Sequence, residues 1–414
     1  MIPDEAVHPP FEPTPEEANP WDHIAPKFTG VPRHFDHVVD DILKPHGGSM
    51  DTFLKALNDA KVTPEDMLTL TDALEKIQTF LDSPPKDPDF EHLTVMKEIN
   101  LDAHLKKREW PRSILGTNEG DIVVSTDNRI YRFDKDGTLL FNTLIGHRTQ
   151  QLIYEPINEK VFFTTMSEYG ALNLYELDKK GVVSVLLCTD KHVIMDVLPD
   201  PQGELILVKS KTDVVAHDLN ISSFDPDTRQ ITATHDVHIS GDYNATPCIL
   251  TNGLLVIREK NALAFVDTKT GTLKEMSYDN RAFWVVELPD GKIACVDSIS
   301  ESISLDVIDL SIAQVVRSNH INLPNHLYGD FLGLSGPDIL PSGKVIQINC
   351  HNSASTGMIG YFLQTWDTTS GAMYDVVELP KRPSKFCVAP DGKIIVTYNS
   401  NRDTGIGGKI QIFG

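Results

Sequence analysis

The residue types best suited to chemistry gather in one irregular stretch: His320, His326 and Asp330, then Cys350, His351 and Asn352, with Ser353 next. Imidazole, thiolate and carboxylate together can hold zinc, and Cys350 with a histidine can act as nucleophile and base. Their spacing matches no established metal motif. The competing reading is a polar, solvated pair of loops with Cys350 buried at a strand end. Other short motifs carry less. Asp403-Thr-Gly405 is the tripeptide of aspartic proteases, but it occurs once, in a glycine-rich stretch. Asp134-Lys-Asp-Gly137 begins like a calcium loop and lacks the downstream glutamate, so it reads as a hairpin turn. His34 and His37 read as a surface pair. There is no glycine-rich phosphate loop, serine elbow or Cys-x-x-Cys. No cofactor is expected.

Charge narrows the partners. A formal net charge of −22 over 414 residues disfavours nucleic acid, because phosphate binding wants a basic field. No run of 18 apolar residues exists, so a membrane span is not expected. The start, MIPDEAVHPP, is acidic and proline-rich, unlike a secretory signal or a mitochondrial presequence. Five cysteines (188, 248, 295, 350 and 387) fit reduced thiols in a cytoplasmic protein better than disulfides.

The elements that would position these groups repeat. An apolar residue precedes an aspartate at Phe133-Asp134, Leu177-Asp178, Phe224-Asp225, Val266-Asp267, Ile308-Asp309 and Trp366-Asp367, with intervals of 44, 47, 42, 42 and 58 residues. A second punctuation falls at Gly120, Gly203, Gly253, Gly291, Gly343 and Gly392, with Asn158-Glu159 in place of glycine in the second unit. Short apolar runs follow each, such as Ile122-Val-Val124 and Leu205-Ile-Leu207, and runs of this kind read as strands covered on both faces. A period of about 40–50 residues with four strands per unit marks stacked sheets closed into a ring. The last unit supplies three strands, and an orphan strand, His92 to Ile99 (HLTVMKEI), precedes the first. On these features the chain resembles the β-propeller repeat superfamily, with its WD40-like, YVTN and quinoprotein-like repeats, over residues 93–414. The resemblance implies an all-β seven-bladed β-propeller whose N-terminal strand closes the last blade. Within residues 93–414 a Gly-His pair occurs once, at Gly146-His147, and a Trp-Asp pair once, at Trp366-Asp367, so a strict WD40 pattern is absent. Asn261 to Gly271 looks like a quinoprotein repeat without its docking tryptophan, which argues against a quinone cofactor.

Residues 1–32 carry eight prolines and read as an extended or disordered tail. Residues 33–83 read as a short helical segment. Its clearest helix has Thr63 as N-cap and Pro64 in the first turn, and its apolar positions Met67, Leu70, Leu74, Ile77 and Leu81 step by 3, 4, 3 and 4. Such a helix would cap the ring or dock a partner. Residues 84–91 read as a linker and 92–414 as the propeller. Residues 1–91 hold 19 acids and 7 bases, so a net −12 of the −22 lies before the ring.

One face of that ring gathers cations and aromatics at the inter-blade connections. These are Arg108, Trp110 and Arg112; Arg148; Lys191 and His192; Tyr243; Arg281, Phe283 and Trp284; His326 and Tyr328; and Arg382 and Lys385. Arg129, Arg258 and Arg402 lie by the connections between second and third strands. Eight of the twelve arginines fall on this face. Arginine and aromatic residues supply binding hot spots. The alternative is that each ties neighbouring blades together. The expected function is a protein-interaction platform for an acidic peptide or protein segment. The competing class is a hydrolase- or lyase-type propeller enzyme, with a site at the channel mouth or in the loops of blade six.

Overall fold

Every turn glycine leads into an apolar run, and every run is a strand. The computed structural model describes Pro88 and residues 93–414, apart from 106–108, 156–158, 167–171, 189–192, 211–217, 240–246, 260–261, 279–283, 298–301, 323–335, 353–358 and 399–407. The tail, the helical segment and nearly all of the linker expected at 1–91 lie outside the described residues.

The described residues form seven four-stranded antiparallel sheets. Blade 1 holds β2–β5 (Ser113–Gly116, Ile122–Ser125, Arg129–Phe133 and Leu139–Leu144) and blade 2 holds β6–β9 (Arg148–Glu155, Lys160–Met166, Leu172–Leu177 and Val183–Cys188). Blade 3 holds β10–β13 (Val193–Pro199, Leu205–Ser210, Asp218–Asp225 and Gln230–His238) and blade 4 β14–β17 (Cys248–Ile249, Leu254–Arg258, Ala262–Asp267 and Leu273–Ser277). Blade 5 holds β18–β21 (Trp284–Glu287, Ile293–Asp297, Ser302–Asp309 and Gln314–Asn322) and blade 6 β22–β25 (Asp338–Ile339, Val345–Asn352, Ile359–Trp366 and Met373–Leu379). Blade 7 takes β26–β28 (Lys385–Val388, Ile394–Tyr398 and Lys409–Phe413) and, outermost, β1 (Val95–Asn100). The pairing of β1 with β28, Glu98 opposite Gln411 and Ile99 opposite Ile410, closes the ring as the orphan strand led one to expect. Among the described residues no helix is long and apolar enough to cross a membrane.

The packing explains the continuous apolar runs. Side chains of a strand alternate between its two faces, and each face of an inner blade strand meets a neighbouring blade. Leu205 and Leu207 pack toward blade 2, whereas Ile206 and Val208 pack toward blade 4. The buried residues divide accordingly into seven clusters, one for each seam between successive blades. The cluster joining blades 7 and 1 draws on both ends of the chain, with Ile99 and Leu101 against Tyr131, Phe133, Ile410 and Ile412.

The repeating aspartates have a local job. Asp134, Asp178, Asp225, Asp267, Asp309 and Asp367 each accept the backbone N–H two residues on, at 2.8–3.0 Å. This folds the hairpin between third and fourth strands. The chain then turns through a left-handed residue, glycine at Gly137, Gly181, Gly271 and Gly371 but Arg229 (φ 57°) and Ala313 (φ 49°) in blades 3 and 5. Glu159 (φ 54°) stands where other blades use glycine between first and second strands.

Asp200 behaves differently from these solvated turn carboxylates. It is buried in the first turn of blade 3, and burial outweighs its bond from the Gln202 N–H (3.1 Å), pushing its carboxyl up to about 6 from 3.8. The native chain therefore keeps this proton to a higher pH than the unfolded chain. The associated stability is complete below about pH 4 and is lost as pH rises through about 6. Asp200→Asn is expected to stabilise the fold by about 2 kcal/mol at pH 7 and hardly at all at pH 4. Urea unfolding at both pH values checks this, and equal effects at the two would refute it.

Candidate functional site

Antiparallel pairing puts the turns between first and second strands, and between third and fourth, at one end of the ring. Inter-blade connections and second-to-third-strand connections lie at the other, here called the upper face. Of the residues singled out there by sequence, Arg108, Lys191, His192, Tyr243, Arg281, Phe283, His326, Tyr328 and Arg402 lie outside the described residues. The described remainder meets best where blade 7 adjoins blade 1.

Two lead-in segments run side by side at that seam. Ser384 Oγ donates to the Pro111 carbonyl (3.0 Å), bridging residues 273 apart in sequence. Around this bond stand Trp110 and Arg112 from blade 1 and Arg382 and Lys385 from blade 7. The blade 1 segment is anchored from below. Tyr131 Oη donates to Glu109 Oε2 at 2.5 Å, and Arg129 Nε lies 3.6 Å from Glu109 Oε1. Burial, then the Glu109 bond, raises the Tyr131 phenol well above its ordinary range, so it stays a donor. Glu109 is thereby sunk while its neighbour Trp110 stands 49% exposed.

Arg112 places both Nε and Nη2 on one oxygen of Asp127, each at 2.7 Å. Lys385 is fixed through its backbone, its N–H donating to Thr397 Oγ1 and its carbonyl accepting from the same hydroxyl, both at 3.1 Å. Burial, and then the charge of Arg112, draws the Lys385 ammonium below the usual lysine range. On the outer side, Lys381 and Lys409 flank the Tyr398 ring at 5.6 and 5.7 Å. Lys409 also pairs with Glu98 of the closing strand at 2.8 Å. Sequence reading missed Lys381, Lys409, Tyr398, Glu109 and Asp127. The one available signal was the density of cations at Lys381, Arg382 and Lys385.

Elsewhere on this face the described residues divide by role. Arg148 opens β6 and is exposed, as is Arg382. Arg258 is buried, and Arg129 donates to Asn142 Oδ1 at 2.7 Å. Trp284 packs its indole on Gly336, where an added Cβ would meet the ring at 2.6 Å.

The stretch first considered for chemistry is differently arranged than loops. His320 lies in β21, the outermost strand of blade 5, paired opposite Ser304. Cys350, His351 and Asn352 lie in β23, the second strand of blade 6, opposite Tyr361, Gly360 and Ile359. The ladder hydrogen bonds of these strands extend further along the chain than the apolar runs suggested. His326 and Asp330 lie outside the described residues, and among those that are described no metal-binding cluster of His, Cys, Asp or Glu occurs.

Acids and thiols near the axis serve the ring. Glu287 of blade 5 accepts both the N–H and the hydroxyl of Thr251 in blade 4, at 2.8 Å each. Asp338 of blade 6 accepts the Val388 N–H of blade 7 at 2.7 Å, and Gln151 of blade 2 donates to the Val197 carbonyl of blade 3 at 3.0 Å. Burial pushes the Cys248 thiol up to about 12 and raises Cys387 as well, so neither is a thiolate at neutral pH.

No family model matches the chain, and no curated protein matches it in sequence. Solved structures similar to it include a Dos1 propeller, at a TM-score of 0.50 and 9% identity over 74% of this chain and 78% of that one. Another is a chain in the crystal structure of a mitotic checkpoint complex, at a TM-score of 0.50 and 11% identity over 77% of this chain and 91% of that one. At these identities the likeness is one of fold. Seven blades, seven seams and a last blade sewn from both ends of the ring give the chain the fold of a seven-bladed β-propeller.

Proposed function

We propose that this propeller is a protein-interaction module that seats an acidic peptide or protein segment on its upper face. One observation carries the reading. At the seam of blades 7 and 1, the exposed Trp110 and Arg382 and the half-buried Lys385 stand together, while the nearby carboxylates Glu109 and Asp127 are held by Tyr131 and Arg112. Arg148 adds a further exposed cation one blade along. Cations beside an aromatic surface, one of them partly desolvated, favour an anionic partner. The net charge of the whole chain argues against nucleic acid in that role. One of the similar folds comes from a mitotic checkpoint complex, a protein assembly, which supports a platform role here. Among the described side chains Cys188, Cys248, Cys295 and Cys387 are free thiols, which supports a reducing, cytoplasmic setting. Among the described residues, Glu287 and Asp338 act as blade ties and Cys248 and Cys387 are buried thiols, so these four lend a catalytic reading no support.

The test is a quantitative pull-down with the full chain and with Arg148→Glu plus Arg281→Glu. The double variant is expected to lose most of the proteins retained by the wild type. Equal recovery by both would show that the cationic face is not the docking surface.

A further inference from the structure

We propose that the seam of blades 7 and 1 is a composite anchor for a two-residue feature: an acidic side chain seated on Lys385 beside Arg112, next to an apolar side chain laid on Trp110. The inference rests on the interaction reading above and narrows its partner to a peptide in which a carboxylate adjoins an aliphatic or aromatic residue.

Lys385 is the first reason. Its ammonium is half-buried at the axial end of β26, and no carboxylate lies within ion-pair distance of it among the described residues. Its charged neighbour is a second cation, Arg112, and burial together with that neighbour disfavours its charged form. Holding a desolvated ammonium against a guanidinium destabilises the free protein. Such an arrangement becomes favourable when an anion arrives, because a carboxylate between two partly desolvated cations gains charge-assisted hydrogen bonds. Asp127 is taken up by Arg112, both of whose nitrogens use its Oδ1, and no carboxylate faces Lys385 among the described residues. The pair is left one negative charge short.

Rigidity is the second. Lys385 is pinned at both backbone groups by Thr397, and the two lead-in segments are bolted together by Ser384 and Pro111. A site held this way loses little conformational entropy on binding. Trp110 is the third. Its ring is half exposed while Glu109 and Arg112 on either side are fixed by Tyr131 and Asp127. The result is an aromatic surface presented beside a cation, which is how interfaces build hot spots. Lys209, a buried lysine, lacks this setting, since its ammonium lies 3.3 Å from Ser222 Oγ within the body of blade 3.

A random heptapeptide display library selected on the full wild-type chain provides the probe, with the enriched peptide then synthesised and titrated. Enrichment of an acidic residue beside a large apolar one is expected. The winning peptide should bind at least tenfold more weakly to Lys385→Met and, separately, to Trp110→Ala. Lys385→Met should also raise the melting temperature of the free protein, whereas a lysine that merely ties blades together would lower it when replaced. Trp110→Ala, at an exposed position, should fold normally and serves if the lysine variant does not. Acidic peptides that are lost with Arg148→Glu plus Arg281→Glu but bind Lys385→Met and Trp110→Ala unchanged would overturn this anchor and leave the platform standing. A library that enriches no acidic peptides at all would overturn both.

Discussion

Ile99→Asp is expected to abolish cooperative folding. Ile99 belongs to β1, sits opposite Ile410, and packs in the cluster that joins blades 7 and 1. Losing the buried side chain costs about 2–3 kcal/mol, and an unpaired buried carboxylate adds several more. Together these approach the roughly 5–15 kcal/mol of net stability of an ordinary protein. A ring concentrates the damage, because opening one seam bares two sheet faces and a strand edge. Ile99→Val, which removes one methyl group, should cost only about 1 kcal/mol. Circular dichroism through a urea titration distinguishes the two. A cooperative transition for Ile99→Asp at the wild-type midpoint would mean that β1 is not part of the folded ring.

Arg132→Ala is expected to cost about 3–5 kcal/mol. Arg132 is a charged side chain in β4 that is almost wholly enclosed. Its Nε donates to Asp121 Oδ2 at 2.7 Å and its Nη2 to Glu119 Oε2 at 3.1 Å. Lys179 of blade 2 extends the network with bonds to Glu119 (2.5 Å) and Glu159 (3.1 Å). The Lys179 bond, opposed by some burial, holds the Glu119 carboxyl below its usual range. Removing the guanidinium strands Asp121 at a blade seam, so the loss comes mainly from the orphaned carboxylate. The double variant Arg132→Ala plus Asp121→Ala should then lose less than the sum of the single losses, by more than about 1 kcal/mol. Simple additivity in urea unfolding would show that the two groups are not coupled.

The architecture was readable because its punctuation is chemical. Gly120 and Gly137 occupy left-handed turns that only glycine enters freely, and Asp134 folds its own hairpin, so both recur wherever the geometry recurs. The closing strand was readable because the final unit lacked one. The left-handed residues Arg229 and Ala313 escaped notice, since their types disfavour that backbone and the hairpins there are folded by Asp225 and Asp309 without a glycine. The site was readable only in outline. Residue type marked Arg112, Trp110 and Arg382, but it could not separate a cation held by Asp127 from one facing solvent. Nor could it bring Ser384 to Pro111, because that contact depends on the ring closing over the 273 positions that separate them. Carboxylates near the axis looked equivalent in sequence, yet Glu287 is committed to Thr251.

The most direct test of ring closure is a cross-link between the ends of the ring. Glu98 and Gln411 face each other across β1 and β28, with Gln411 Nε2 donating to Glu98 Oε2 at 3.0 Å although 313 residues separate them. Opposed strand positions of this kind fall within reach of a disulfide. With Glu98→Cys and Gln411→Cys, mild oxidation of the folded protein should yield a monomer that migrates faster without reductant, melts at a higher temperature, and reverts on reduction. The wild type, with its own five cysteines, should show no such shift. If the engineered pair stays open to alkylation in the native state, or links only one molecule to another, the propeller is not closed by its first strand.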